Sequence, residues 1–271
     1  MIEEEPLDGS PISTPSEESG VVLAELVALR PWGVGATLGL SLISAFAVIV
    51  VQTLAAIPVI VYKMQSLPAG ERADMEALAM HFASDGLVLS VSTFASGLVA
   101  VALVVLWSRL RSWSWQEYLS LQRFSPGAAM TSFASLAVIL AASYFSLGEA
   151  EEQSTDFMVT AYRSAGFLPL LYIALIVVAP VWEEFFFRGF MHRGLAAGLG
   201  AKPAILICSA SWALMHVQYN MVLIFWIFLV GLFFGAVRER TGSTSLVIVL
   251  HAIMNLVAVL ETAAVVARLD A

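Results

Sequence analysis

The chain has 271 residues, 59% of them apolar and only 13% charged, and its mean hydropathy is +0.86. An ordinary soluble domain is about 45–50% apolar and about 25% charged, so this chain has too few polar side chains to cover a water-facing surface. The net charge of −8 argues against nucleic acid or an anionic lipid patch as partner. A single cysteine, Cys208, excludes an intrachain disulfide or a cysteine metal cluster and reads as a buried thiol.

Residues 1–30 differ from the rest: Glu3, Glu4, Glu5, Asp8, Glu17 and Glu18 stand among Ser, Pro and Gly. This reads as an acidic, disordered tail, and with no basic stretch before an apolar core it is not expected to be a cleaved signal peptide. The bundle is expected over 31–271. Its charge-free runs are Pro31–Tyr62, Gly86–Ser108, Phe124–Gly148, Ser164–Trp182, Pro203–Val237 and Thr241–Leu260. They are long and apolar on all sides, so they predict membrane-spanning helices rather than the short alternating strands of a barrel. As one helix the fifth run would measure about 50 Å against a hydrocarbon core of about 30 Å, and is expected to fold back near Gln218, Tyr219 and Asn220. The predicted fold is therefore an all-α, polytopic bundle of seven transmembrane helices, or eight if Pro58 splits the first run.

With the N-terminus inside, Arg30, Arg109, Arg111, Arg123, Arg188, Arg193, Lys202, Arg238 and Arg240 fall on inner segments, and Lys63, Arg72, Arg163 and Arg268 on outer ones. Nine against four fits the positive-inside rule, and the loop carrying Glu149, Glu151, Glu152 and Asp156 is then outside. Trp113, Trp115 and Tyr118, beside Arg111 and Arg123, predict a helix lying at the inner interface. Neither an internal repeat nor the inverted repeat of a transporter is evident.

The fourth span carries polar residues that apolar sequence does not explain: Trp182-Glu183-Glu184 is followed by three Phe, Arg188, Phe190 and Met191. An ionised acid at a helix centre costs about 2.5–3.5 kcal/mol on insertion scales, so intramembrane acids are functional or paired. Glu184 and Arg188 are one turn apart and can pair, whereas Glu183 points about 100° away and is the free acid, suited to act as a general base. The fifth span adds His216 and the seventh His251 and Asn255, which share a face. A lone intramembrane His is more often a helix-bridging residue, but here the turn at Gly198–Pro203 leaves Glu184 and His216 each sixteen residues from Gly200. An antiparallel hairpin then sets the acid pair level with His216, and His251 is expected within reach of the same cavity. His192, on the opposite face from Glu183 and near the inner surface, and His81, in an outer loop, are expected outside the site.

Glu183-Glu184-x-x-x-Arg188, Trp212-x-x-x-His216, Arg238-x-x-Thr241-Gly242-Ser243 and His251-x-x-x-Asn255, in this order on consecutive apolar spans, resemble the CPBP family of intramembrane proteases. That family includes the type II CAAX prenyl endopeptidases and bacterial relatives linked to bacteriocin self-immunity. The resemblance covers roughly residues 167–266, and departs at Trp212, where the family usually has Phe. It implies a conical intramembrane cavity and a metal-free glutamate protease. Glu183 and His216 would activate water, His251 and Asn255 would hold the oxyanion, and Glu184 with Arg188 would support the site; no cofactor is expected. The implied partners are the lipid bilayer and a membrane-associated peptide or protein substrate. A chain read as a bacterial inner-membrane protein with a cytoplasmic N-terminus is expected to cleave a membrane peptide other than a prenylated CAAX protein.

Three rivals stay open. Glu183, His216 and His251 form the His-His-Glu ligand set of a catalytic zinc, although no HExxH is present and Asn255 would have no task. A non-catalytic scaffold or immunity factor would use the polar groups to hold its helices together. A proton-coupled transporter would also need intramembrane Glu and His, but the missing repeat disfavours it.

Overall fold

The structure, a computed structural model, describes residues 30–67, 75–147 and 149–271. The expected acidic tail therefore lies, apart from Arg30, outside the described residues. The helices are α1 (Val34–Met64), α2 (Met75–Ala83), α3 (Gly86–Arg109), α4 (Trp115–Tyr118), α5 (Pro126–Leu147), α6 (Glu149–Ser164), α7 (Leu168–Leu199), α8 (Ala201–Leu214), α9 (Met221–Thr241) and α10 (Thr244–Leu269). No strand occurs among the described residues.

Six of these, α1, α3, α5, α7, α9 and α10, are long and apolar enough to cross a membrane. The seventh apolar helix, α8, has only 14 residues, about 21 Å at 1.5 Å per residue. The fold-back falls where the sequence places it: α8 ends at Leu214, and the Asn220 side chain caps α9 by accepting from the Leu223 N–H at 3.0 Å. Pro58 does not split the first run, because α1 continues through it to Met64. The acidic segment from Glu149, expected as a loop, is the start of α6.

The bundle places large apolar side chains outside and small polar ones between its helices. Leu42, Phe46, Leu54 and Phe145 are exposed, whereas Thr37, Ser44, Ser90, Ser96 and Ser108 are buried. With hydrocarbon outside there is no hydrophobic drive between helices, and small residues let backbones approach closely while their hydroxyls find carbonyls. Ser44 donates to the Leu40 carbonyl and receives the Trp107 indole N–H at 3.0 Å, which pins α1 to α3.

Each end of the bundle has its own clasp. At one end Asp85 caps α3 by accepting from Leu87 and Val88, and pairs with Lys63, which also donates to the Ser164 carbonyl at 2.7 Å. At the other end the expected interfacial helix is a four-residue turn docked into the protein, with Tyr118 fully buried. Its phenol accepts the Trp32 backbone N–H, and burial raises its pKa against the pull of Arg193 and Arg111. Next to it Ser120, held at φ 55°, accepts from both Arg193 and Arg238 at 2.7 Å, and its carbonyl accepts the Thr244 N–H. Chain segments from α7, α9 and α10 thereby converge on one serine.

A close helix approach sits beside the first clasp. A Cβ on Gly86 would come within 1.8 Å of the Ala161 carbonyl oxygen, a backbone atom of α6 that cannot rotate away. Gly86→Ala is expected to push α3 and α6 apart and destabilise the fold by about 1–3 kcal/mol. A lowered thermal midpoint in detergent, read by tryptophan fluorescence, would register it, and an unchanged midpoint would contradict this packing.

Candidate active site

Helix α7 is not uniform. Two stretches, Ala174–Val178 and Phe185–Met191, are wound as π-helix, and between them lies the α-helical turn Ala179–Glu184. Wide turns of this kind leave carbonyls imperfectly satisfied, and Pro180 supplies no N–H to the carbonyls behind it. Polar side chains of neighbouring helices complete the bonding, as a membrane interior demands. Asn255 donates its amide to the Leu175 carbonyl at 2.8 Å, and Arg238 donates Nε to the Arg188 carbonyl at 3.2 Å.

The two carboxylates of this turn differ completely in environment. Glu184 is fully buried, and its Oε1 accepts from Arg188 at 3.0 Å and from His251 Nδ1 at 2.8 Å. The expected Glu184–Arg188 pair is therefore present, extended by a histidine from α10. Arg188 also donates to the Gly231 carbonyl of α9 at 3.3 Å, and its guanidinium lies 4.6 Å over the Trp212 ring. Glu183 is only half-buried, and its Oε2 accepts the Trp212 indole N–H at 2.6 Å.

Glu183 and His216 line one cavity of about 230 Å³, together with Trp182, Trp212, Thr93 and Ser96. His216 stands just past the end of α8, with Nδ1 2.9 Å from the Trp212 carbonyl. A carbonyl can only accept, so Nδ1 carries the proton and Nε2 is left as the acceptor. Phe157 of α6 reaches the same cavity, and its ring meets that of Tyr219 at 5.7 Å. A larger recess of about 680 Å³ between α1, α2 and α3 adjoins the cavity, with Gln52, Ala83 and Leu89 in both walls.

Of the residues singled out by sequence, the structure brings Glu183 and His216 to one cavity and gathers Glu184, Arg188 and His251 into a buried cluster beside it. Trp212 joins the two groups, its ring centre 5.2 Å from that of His216 and 5.4 Å from that of His251. Asn255 is bonded to the backbone of α7 and does not line the cavity. Among the described residues no three His, Cys, Asp or Glu side chains are arranged to hold a metal ion. His81 is exposed on α2, away from the cavity. His192, expected near the inner membrane surface and outside the site, is 2% exposed, lies 3.5 Å from Glu239 and does not line the cavity. Arg238, expected on an inner segment, is buried. Its tie to α7 and the Trp212–Glu183 bond were not foreseeable from spacing, since each joins positions far apart in sequence.

Six long apolar helices around a buried cluster of Glu, His and Arg define a multi-pass membrane protein with a polar centre beside a cavity. Comparison with known families makes the class particular: residues 165–257 match the family described as Rce1-like, type II CAAX prenyl endopeptidase, as the motifs suggest. The matched segment is about a third of the chain, holds all six expected site residues, and at the level of the family points to a CAAX-type membrane endopeptidase. No curated protein and no solved structure matches the chain.

The buried cluster carries a direct expectation. Glu184→Gln leaves the Arg188 charge without its anion, and unpairing one member of a buried ion pair costs about 3–5 kcal/mol. The variant is expected to lose yield and melt earlier in detergent. The double variant Glu184→Gln/Arg188→Met should melt above the single one, and a double-mutant cycle showing no coupling would contradict the pairing.

Proposed function

We propose that the protein is an intramembrane endopeptidase that hydrolyses a peptide bond of a membrane-associated peptide or protein with water activated by Glu183 and His216. The observation that carries this reading is the shared cavity: a carboxylate and an imidazole with a free Nε2 face one small polar recess inside an apolar bundle. Water between them would lose its proton to Glu183 as it attacks the carbonyl carbon, and that proton would pass to the leaving amine. In this reading His251 supplies its Nε2–H to the developing oxyanion, with the Glu184 carboxylate stabilising the imidazolium from behind. The resemblance assigns Asn255 to the same oxyanion; it spends one amide N–H on the Leu175 carbonyl outside the cavity, so substrate binding would have to bring its second N–H into line. No metal takes part in this scheme.

Glu183→Gln is expected to lower turnover by about 10²–10⁴-fold with the fold intact, and His216→Ala to do the same, because the water loses its base or its orienting partner. Asn255→Ala should lower turnover by about 10²–10³-fold with little change in the Michaelis constant. Comparative peptidomics of membranes carrying the wild type and Glu183→Gln supplies the substrate and tests the reading together. Identical peptide pools would favour a scaffold. Extensive chelation should leave the wild type active, and loss of activity restored by zinc would favour a metalloprotease.

The proposed orientation puts the α4 end of the bundle in the cytoplasm, where most Lys and Arg fall. Single cysteines at Glu151 and Lys202, in a Cys208→Ser background, should then label from opposite sides of the membrane, with Lys202 on the cytoplasmic side. Labelling of both from one face would overturn it.

A further inference from the structure

A general base in a cavity within the bundle has to satisfy two opposing demands. The carboxylate must be held ionised, which calls for hydrogen-bond donors, and one oxygen must stay unengaged so that it can take a proton. Trp212 meets both on Glu183. Its indole N–H donates to Oε2 at 2.6 Å, and an indole can donate one proton and accept none, so Oε1 remains for the reacting water. The ring is 1% exposed and cannot swing away. The Arg188 guanidinium lies over it, and the rings of His216, His251 and Phe234 surround it at 5.2–6.0 Å. The backbone of the same residue fixes the other half of the site, since its carbonyl receives the His216 Nδ1–H.

We propose that Trp212 is a positioning residue that sets the proton affinity and orientation of Glu183 through its indole N–H and the tautomer of His216 through its carbonyl. The inference rests on Glu183 being the proteolytic base. It explains why one helix end carries both Trp212 and His216: four residues apart, the side chain of the first and the ring of the second meet the same cavity.

The titratable groups around this bond are His216, which comes from beyond α8 and lines the same cavity, and, packed on the Trp212 ring, Arg188 from α7 and His251 from α10, both bonded to Glu184; α1 and α3 present Gln52, Thr93 and Ser96, which do not titrate. A test must therefore separate Glu183 from the histidines. Trp212→Phe keeps an aromatic ring at the site and removes the N–H together with the five-membered part of the indole, so the pH profile rather than the rate alone is the readout. Losing a donor to a carboxylate favours its protonated form, so the acidic limb of kcat/KM should move up by about one pH unit, with most of the lost rate recovered above it. A purely structural role would lower turnover at every pH and leave the limb in place.

The measurement pairs kinetics with spectroscopy on the full chain in detergent micelles. The activity probe is a quenched fluorogenic peptide bearing the cleavage-site sequence that the wild-type and Glu183→Gln peptidomes return. The second readout is the ¹⁵N-indole spectrum, in which the Trp212 signal is the one missing from Trp212→Phe. The expected result is a Trp212 signal that moves with pH in the wild type and loses its acid-range movement in Glu183→Gln, together with the displaced limb in Trp212→Phe. A Trp212 signal indifferent to Glu183→Gln, or a limb unmoved in a folded Trp212→Phe, overturns the proposal. If Trp212 responds to Glu183 but Glu183→Gln cleaves the probe at the wild-type rate, the hydrogen bond stands and the assignment of Glu183 as base falls instead.

Discussion

A single buried charge organises the centre of this protein. The Glu184 carboxylate is fully buried, and an isolated ion in such a medium costs far more than the fold can supply unless opposite charge and donors surround it. Arg188 comes from the next turn of α7, His251 comes from α10, and the second nitrogen of Arg188 reaches the Gly231 carbonyl on α9. Three helices are thus bound to one carboxylate. Gly231 is part of the same arrangement, because a Cβ there would come within 3.0–3.2 Å of Ser209 and of the Trp212 ring and hold α9 away from α8.

Neighbouring residues on α7 then divide structure from chemistry. Glu184 faces the bundle with Oε1 shared between Arg188 and His251, while Glu183, one position earlier, opens onto a cavity with a single donor on one oxygen. The π-wound stretches on either side of this pair open the backbone to side chains from α9 and α10. Irregular winding is costly in a membrane unless its polar atoms are met from outside the helix. Arg238 and Asn255 meet them here, so the same polar residues that complete α7's bonding fix the direction in which its acids point.

Much of this was legible in the sequence because it depends on local rules. Apolar run lengths yield the long helices, i,i+4 spacing yields the Glu184–Arg188 pair, and counting outward from Gly200 brings His216 level with the acids. What was not legible depends on long-range docking. The segment around Trp113–Tyr118 has the composition of a membrane-surface helix, yet it is drawn inward because Ser120 offers a polar anchor to Arg193 and Arg238. His251 shares a helical face with Asn255, but periodicity cannot say that its partner is Glu184 rather than the cavity. The acidic composition of Glu149–Asp156 suggested a loop, and the α6 helix that forms instead places Phe157 beside the candidate site.

The brevity of α8 has a consequence for the lipid around it. At about 21 Å it cannot match hydrocarbon of about 30 Å, and a bilayer meets such a mismatch by thinning or by letting polar groups reach toward its core. Where α8 stops, residues 215–220 form a non-helical stretch whose peptide groups need polar company at that depth. Such a stretch is expected to draw the headgroup boundary toward His216. In the proposed function a peptide lying in the interface would then reach Glu183 with little insertion, and water would have a short way in.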